Sequence, residues 1–312
     1  MHLVVGSNSC FGRATVAALQ EAGESVRTLE APAEGWLEID TVVAAAEGCV
    51  SITAAVERPM NAWYPDLVRF ADAICAAAEI TGATVLVPSG MYGFKVIYDV
   101  PLPPEPPPAD ANDRPCEPGR VRDQIEATYA QLADLSGNRV IVVRAGDTFG
   151  PGSLAWPAAE MVRAAAAGRR VPWPGHPGVG HAFTFVPDLA RLGVRALLGA
   201  PLPKPMLTAE EQEDPDRLPP SPLEVYALHG HLLADAAAWA SALGAPGALR
   251  VPHTWIRARA LWDAAYAKLP EVLYTWEGSI FLDDRRTRRW MPDFTETPLA
   301  DAIRETLSAA KA

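Results

Sequence analysis

The sequence predicts an α/β protein built on a doubly wound parallel sheet. Over the first 90 residues, short β-type segments alternate with segments that carry apolar residues at helical spacing. This alternation favours parallel strands joined by crossover helices. The chain has 312 residues, of which 49% are hydrophobic and 21% are charged. Such a composition is typical of a folded globular protein, and the length allows one large domain or two.

The predicted elements follow one another along the chain. The strands are 3–5, 26–29, 50–55, 85–87 and 139–144, and the helices are 11–21, 65–81 and 119–135. Two proline clusters, 101–118 and 201–222, interrupt this pattern. Because proline lacks an amide donor and fixes its own φ angle, we expect both clusters to be surface loops.

Charge and cysteine usage exclude several classes of protein. The net charge is −11, and no basic tract offers a footprint for a phosphate backbone, so we expect no nucleic-acid partner. No apolar run reaches the ~18 residues of a membrane span, and no basic leader precedes the apolar strand at Leu3. We therefore expect a cytoplasmic protein with no membrane partner. The four cysteines are far apart in sequence and predict reduced thiols rather than a disulfide framework or a zinc site.

A glycine-rich segment links the first strand to the first helix. It reads Gly6-Ser7-Asn8-Ser9-Cys10-Phe11-Gly12, a GxxGxxG spacing with serine at the middle position. The first glycine permits a tight turn, the last lets the helix pack on the strand, and the helix N-terminus faces the phosphates of a dinucleotide. The Ser9 side chain crowds that approach, although its hydroxyl could donate to a phosphate. The sequence predicts that Gly6, Asn8, Ser9, Cys10, Phe11 and Gly12 bind a cofactor. The alternative is an ordinary turn in a nucleotide-free fold.

Glu30 ends the second predicted strand, and no arginine follows it. A carboxylate at this position accepts a hydrogen bond from a ribose 2′-OH and repels a 2′-phosphate. The residue therefore favours NAD over NADP as the cofactor.

Five ordered motifs resemble the extended short-chain dehydrogenases/reductases, the NAD-dependent epimerase/dehydratase family. Besides the GxxGxxG loop they are Met91-Tyr92-Gly93, the segment RAGDTFGPG at 144–152, the segment FTFVPDLA at 183–190, and the tail that runs from LDD at 282–284 through TPL at 297–299. The resemblance covers nearly the whole chain.

The resemblance implies a Rossmann-type domain with a smaller C-terminal α/β substrate lobe. Residues 1–150 and about 182–200 would form the dinucleotide-binding domain, and about 151–181 and 201–312 the substrate lobe. It also implies an oxidoreductase or epimerase that acts on a small-molecule, sugar-type substrate, and a homodimer is compatible with it.

The family's catalytic groups are replaced in this chain. Its catalytic pair is a Tyr four residues before a Lys on one helix, so that the two side chains share a face and Lys lowers the phenol pKa. When Glu126 is placed on the family's YxxxKxxxE pattern, Pro118 stands at the Tyr position and Arg122 at the Lys position. The nearby Ser/Thr position is Pro88, with Ser89 one place along. Arginine stays protonated and can bind an anion, but it cannot serve as a base at neutral pH.

Few residues could replace the missing base. Tyr92 and Tyr98 could donate a proton or could simply pack. Asp147 could be a base or could cap a turn. His181 could reach the pocket mouth, although a surface position is the more common one for a lone histidine. Asp188 is expected to cap the helix that follows it.

Aromatic residues at Trp63, Trp173, Tyr274 and Trp276 could line an apolar pocket or belong to the ordinary core. No pattern supports a metal site. The candidates for catalysis are Tyr92, Asp147, Arg122 and Ser89.

Three functional hypotheses follow. The first is an atypical NAD(P)-dependent oxidoreductase or epimerase-like enzyme whose acid/base group has moved. The second is a catalytically silent nucleotide-binding sensor or regulator. The third is an enzyme that keeps the pocket and has abandoned the dinucleotide.

Overall fold

Parallel strands form the centre of the protein. The computed structural model describes residues 1–94, 99–103, 116–199 and 222–311. Within these residues, six strands form the main sheet: β1 (His2–Val5), β2 (Val26–Leu29), β3 (Ser51–Ala54), β4 (Thr84–Ser89), β5 (Val140–Arg144) and β9 (Leu223–Ala227). Their order is β2-β1-β3-β4-β5-β9, and all neighbours are parallel. Tyr98 and most of both proline clusters lie outside the described residues.

Helices cover both faces of the main sheet. One face packs α1 (Cys10–Glu21), α6 (Val186–Leu198) and the region of α10 (Arg285–Trp290); the other packs α2 (Ile39–Ala46), α3 (Val68–Thr81) and α4 (Glu117–Gln131). Alternate strand residues serve the two faces, as the pleat requires. Thus Leu3 and Val85 face one set of helices, and Val4 and Leu86 face the other. This arrangement confirms the predicted doubly wound parallel sheet.

A second, smaller lobe is built mainly from residues after Gly150. Its described strands are β6 (Asp147–Phe149), β7 (Val171–Trp173), β8 (His181–Phe185), β10 (His231–Leu233) and β11 (Ala248–Arg250), paired as β10-β8-β6 and β11-β7. Its helices are α5 (Ala158–Ala166), α7 (Ala236–Ala242), α8 (His253–Arg259), α9 (Leu269–Val272) and α11 (Leu299–Lys311). Short helical turns lie at Met60–Ala62, Trp63–Leu67, Leu132–Ser136, Ala264–Tyr266 and Leu273–Trp276.

The strand pairing differs from the sequence division at two places. The sequence placed 201–312 in the substrate lobe, yet β9 pairs with β5 and completes the main sheet. Conversely, β6 and β8, which the sequence gave to the first domain, pair with each other outside the main sheet. The sequence predicted no strand at any of these three segments, and local motifs carry no information on which sheet a strand joins.

Asp188 does not cap α6, so this prediction was wrong. The helix begins at Val186 with Phe185 at the N-cap position, and Asp188 lies buried in its first turn. The Asp188 carboxylate accepts hydrogen bonds from the amide and the hydroxyl of Thr297, at 2.8 and 2.7 Å. It also forms an ion pair with Arg191 at 2.5 Å. Asp188 therefore fixes the segment that leads into α11.

No described helix is long and apolar enough to cross a membrane. All four cysteines are free, as the sequence predicted. Burial and the neighbouring Glu57 charge raise the pKa of the Cys10 thiol to about 12, although Arg13 opposes this shift. The thiol therefore stays protonated at neutral pH.

Gly6 is required by the close approach of two strands. Its φ is +84°, and a Cβ atom there would lie 2.7 Å from the backbone of Ala55 and Val56. Replacing Gly6 by alanine should therefore lower the free energy of unfolding by about 3 kcal/mol, from a left-handed backbone penalty and a clash with backbone that cannot yield. Urea denaturation measures this.

Gly23 supplies the matched control. Its φ is +80°, but no atom lies within 4 Å of a Cβ placed there, so Gly23→Ala should cost only ~1 kcal/mol. Equal losses in the two variants would contradict the packing argument.

Candidate active site

The predicted site residues meet at the carboxyl edge of the main sheet. Ser89 ends β4, Tyr92 lies in the loop that follows, and Asp147 begins β6 just after β5. The N-terminal turns of α4, which carry Arg122, pack beside them. The loops that follow the parallel strands at this edge bring together residues that are distant in sequence, as is usual for ligand sites in open α/β sheets.

A buried ion pair fixes this edge. Arg144 at the end of β5 contacts Glu126 of α4, with Nη2 2.6 Å from Oε2. The Ser89 hydroxyl donates to the same carboxylate, and Arg144 Nη1 donates to the Gly90 carbonyl at 2.8 Å. Burial alone would raise the pKa of Glu126, but Arg144 and these hydrogen bonds lower it. The Ser89 hydroxyl proton is therefore taken up within the protein rather than offered to a substrate.

Arg122 lies one helical turn before Glu126 and stacks on an aromatic ring. Its guanidinium carbon is 4.5 Å from the centroid of the Trp63 ring. Arg122 Nε is buried and has no hydrogen-bond partner among the described residues. Burial lowers the pKa of Arg122, and the neighbouring Glu126 charge opposes that shift. A buried guanidinium with an unused donor suits an anionic ligand group.

Tyr92 and Asp147 are brought together as candidates. Tyr92 packs against Trp63, with ring centroids 5.8 Å apart, and its phenol interacts with the Asp147 carboxylate. Burial, with a further contribution from Asp147, raises the pKa of Tyr92 well above its ordinary value, against the opposing charge of Arg122. The phenol thus stays protonated at neutral pH and can act as a hydrogen-bond donor or acid rather than as a base.

His181 is the third member of this chain of contacts, and its expected surface position was wrong. The residue is buried, and His181 Nε2 lies 2.7 Å from Asp147 Oδ2. Its ring stacks on Trp276, with centroids 3.7 Å apart, and meets Trp173 edge-on. Asp147 therefore links the Tyr92 phenol, in the loop after β4, to the His181 imidazole in the aromatic core of the second lobe. It does not cap a turn.

The aromatic residues divide between the two predicted roles. Trp173 and Trp276 belong to the core of the second lobe. Trp63 belongs to the core under the main sheet and also contacts Tyr92 and Arg122 of the site. Tyr274 holds the backbone of the site in place, since its hydroxyl donates to the Tyr92 carbonyl at 3.2 Å. Pro118 is buried at the second position of α4, which is an ordinary place for proline.

The glycine loop lies at the same edge, as predicted. It precedes α1, whose N-cap residue is Ser9, and the Ser9 hydroxyl accepts from the Gly12 amide at 2.8 Å. A Cβ on Gly12 would strike the Gly6 carbonyl, so the loop and helix touch as a dinucleotide loop requires. Asn8 Nδ2 donates to the Ala31 carbonyl at 3.0 Å and holds the end of β2 against the loop. Glu30, just before Ala31, is exposed.

Two charged residues beside the loop were missed by sequence reasoning. The Glu57 carboxylate accepts from the Cys10 amide at 3.4 Å, and the Arg13 guanidinium donates to the Asn8 carbonyl at 2.5 Å. Arg13 also reaches the carbonyls of Pro151 and Gly152. The only available signal was position, because Glu57 follows β3 at the carboxyl edge next to β1.

Other features of the described residues do not compete with this site. No group of three or more potential metal ligands occurs among them. An open groove lined by Ala18, Glu21, Arg191 and Arg195 lies between the C-terminal halves of α1 and α6, away from the glycine loop.

Comparison with solved structures supports the fold over the full length. UDP-glucose 4-epimerase from Brucella ovis, solved in complex with NAD, has a TM-score of 0.68 and 18% identity, covering 98% of this chain and 97% of its own. UDP-glucose 4-epimerase from Thermotoga maritima, solved with UDP-glucose, has a TM-score of 0.69 and 13% identity, covering 99% and 98%. The protein titled gox2253 has a TM-score of 0.72 and 17% identity, covering 100% and 98%.

These similarities define the class of fold. The chain has the Rossmann-type fold of the NAD-dependent epimerases and extended short-chain dehydrogenases/reductases, as the sequence motifs implied. No protein-family model and no curated protein sequence matches the chain.

The buried ion pair gives a stability prediction. Replacing Glu126 by glutamine leaves the Arg144 charge without its partner, so the free energy of unfolding should fall by about 3 kcal/mol. Chemical denaturation at neutral pH measures this loss.

Glu117, on the same helix, is the control. It pairs with Lys268 at 2.5 Å, but its side chain is 44% exposed. Glu117→Gln should therefore cost less than ~1 kcal/mol. A loss at Glu126 no larger than this would show that the buried pair does not stabilise the edge.

Proposed function

We propose that the protein is an atypical NAD-binding, epimerase-like oxidoreductase that acts on a small, sugar-type substrate. The observation that carries the proposal is the convergence of the glycine loop, Tyr92, Asp147 and Arg122 at one sheet edge. The proposal is also supported by structural neighbours solved with NAD or with sugar nucleotides.

In this proposal the glycine loop would receive the diphosphate of NAD at the N-terminus of α1. Gly6 leaves no room for a side chain, and α1 begins directly beyond Ser9. The loop would hold the phosphates and Glu30 would accept from the adenosine ribose. When bound, NAD would supply the hydride acceptor. The remaining work belongs to this chain's own residues.

In this proposal Arg122 replaces the family's lysine as a binding residue. Its buried guanidinium would hold an anionic group of the substrate against Trp63. Tyr92 would donate its single phenol proton to a substrate oxygen in place of the Asp147 carboxylate, which His181 holds beside the phenol. Pro118 contributes no proton transfer because it has no ionisable group.

A catalytically silent sensor of the same fold is the second candidate. The raised pKa of Tyr92 favours it, because a phenol that stays protonated cannot abstract the proton of an alcohol. Both candidates bind the same ligands, so turnover distinguishes them.

The cofactor part predicts a preference between two nucleotides. NAD(H) should bind about tenfold more tightly than NADP(H), because the Glu30 carboxylate repels a 2′-phosphate. Fluorescence or calorimetric titration measures both affinities. Glu30→Gln should reduce the preference, whereas Glu34→Gln, at an exposed neighbouring position, should not. Tighter NADPH binding by the unaltered protein would contradict the role of Glu30.

The catalytic part predicts weak activity on standard substrates. Loss of a general base typically costs 10²–10⁴-fold, so simple alcohols and UDP-glucose should show turnover near background in a chromatographic assay. A carboxylated sugar substrate should bind more tightly than its neutral analogue, and Arg122→Ala should abolish that difference. Arg122→Lys, which keeps the charge, should preserve part of it. Robust turnover of UDP-glucose, unaffected by Tyr92→Phe, would overturn the proposed roles.

A further inference from the structure

The first turn of α1 already has an anionic partner from this chain. The Cys10 amide, which would face a bound phosphate, donates to the Glu57 carboxylate. The Gly12 amide donates to the Ser9 hydroxyl. Helix N-termini attract anions through their unpaired amides and their dipole. Glu57 therefore occupies the place where the proposed function puts the negative charge of the dinucleotide.

The Glu57 side chain can be displaced from this position. Its distance to the Cys10 nitrogen is 3.4 Å, whereas strong charge-assisted hydrogen bonds are ~2.8 Å. The residue as a whole is exposed, but its carboxyl group is largely surrounded by protein in this position, and this burial raises its pKa. Turning the carboxylate into water would relieve that cost of burial.

The backbone next to Glu57 is held in place. Arg58 donates to the carbonyls of Pro32 and Gly35 at 2.6 and 3.0 Å, and it forms an ion pair with Asp66 at 3.6 Å. Only the Glu57 side chain, and not its loop, must therefore move to admit an anion.

A cation remains at the loop when Glu57 leaves. Arg13, one turn into α1, lies over the Asn8 carbonyl beside Gly152. Its charge and the helix dipole both favour an incoming diphosphate, while the Glu57 charge opposes one. Among the neighbouring residues Cys10, Arg13 and Glu57, it is Glu57 that carries the negative charge.

We infer that Glu57 is an internal competitor of the dinucleotide diphosphate and sets a low affinity for NAD. The inference rests on the proposed function, in which the glycine loop binds NAD. In this inference the Glu57 carboxylate, which accepts a hydrogen bond from the Cys10 amide, lowers the affinity for the cofactor through its negative charge.

The test compares Glu57→Gln with the unaltered protein by calorimetric titration of NAD⁺, ADP and adenosine. Glutamine keeps an oxygen that can accept from the Cys10 amide and removes only the charge. The variant should bind NAD⁺ and ADP about tenfold more tightly, the effect of removing one nearby like charge in partly screened surroundings. Adenosine, which carries no phosphate, should show no gain. Glu21→Gln, with the same charge change at the other end of α1, should match the unaltered protein.

Each other outcome overturns the inference in an identifiable way. Equal NAD⁺ affinity in Glu57→Gln and the unaltered protein would reject the role of Glu57 and leave the cofactor proposal intact. A gain shared by adenosine or by Glu21→Gln would replace local charge competition with a general effect. Absence of NAD⁺ and ADP binding in every protein would reject the cofactor proposal and the inference together.

Discussion

The ion pair between Arg144 and Glu126 is the interaction on which the candidate site depends. It joins the end of β5 to α4, and through Ser89 and the Gly90 carbonyl it includes the end of β4. Two parallel strands and one crossover helix are therefore fixed at one point. Arg122 is carried on the same helix one turn earlier, and Tyr92 follows the same strand three residues later. The Arg144–Glu126 pair therefore fixes the helix that carries Arg122 and the strand end that precedes Tyr92.

Local patterns predicted the first lobe well, for physical reasons. Strand and helix periodicity and the turn at Gly6 are encoded over a few residues, so β1 to β5 and α1, α3 and α4 could be read directly from the sequence. The edge at which Tyr92 and Asp147 meet could also be predicted, because parallel strands all end at the same side. The partnership of Asp147 with His181 could not, since 34 residues separate them and it depends on how two lobes pack.

The errors share a cause. Asp188 has the sequence context of a helix cap, yet its carboxylate is used more than a hundred residues away, by Thr297. The strand β9 follows a long proline-rich segment, and nothing in its own sequence states that it pairs with β5. Glu57 is an ordinary acidic residue until β3 places it beside the glycine loop. In each case the function of the residue is set by a tertiary neighbour rather than by its local sequence.

The interleaved course of the chain has a consequence for how the protein can be divided. The path leaves the main sheet after β5, returns for α6 and β9, leaves again for β10, and returns for α10 before ending in α11 on the second lobe. No single cut separates two contiguous pieces that each contain a whole lobe. Cutting the chain between the lobes would leave fragments that each contain parts of both lobes. Neither lobe can therefore be exchanged for another by replacing one contiguous segment of the chain.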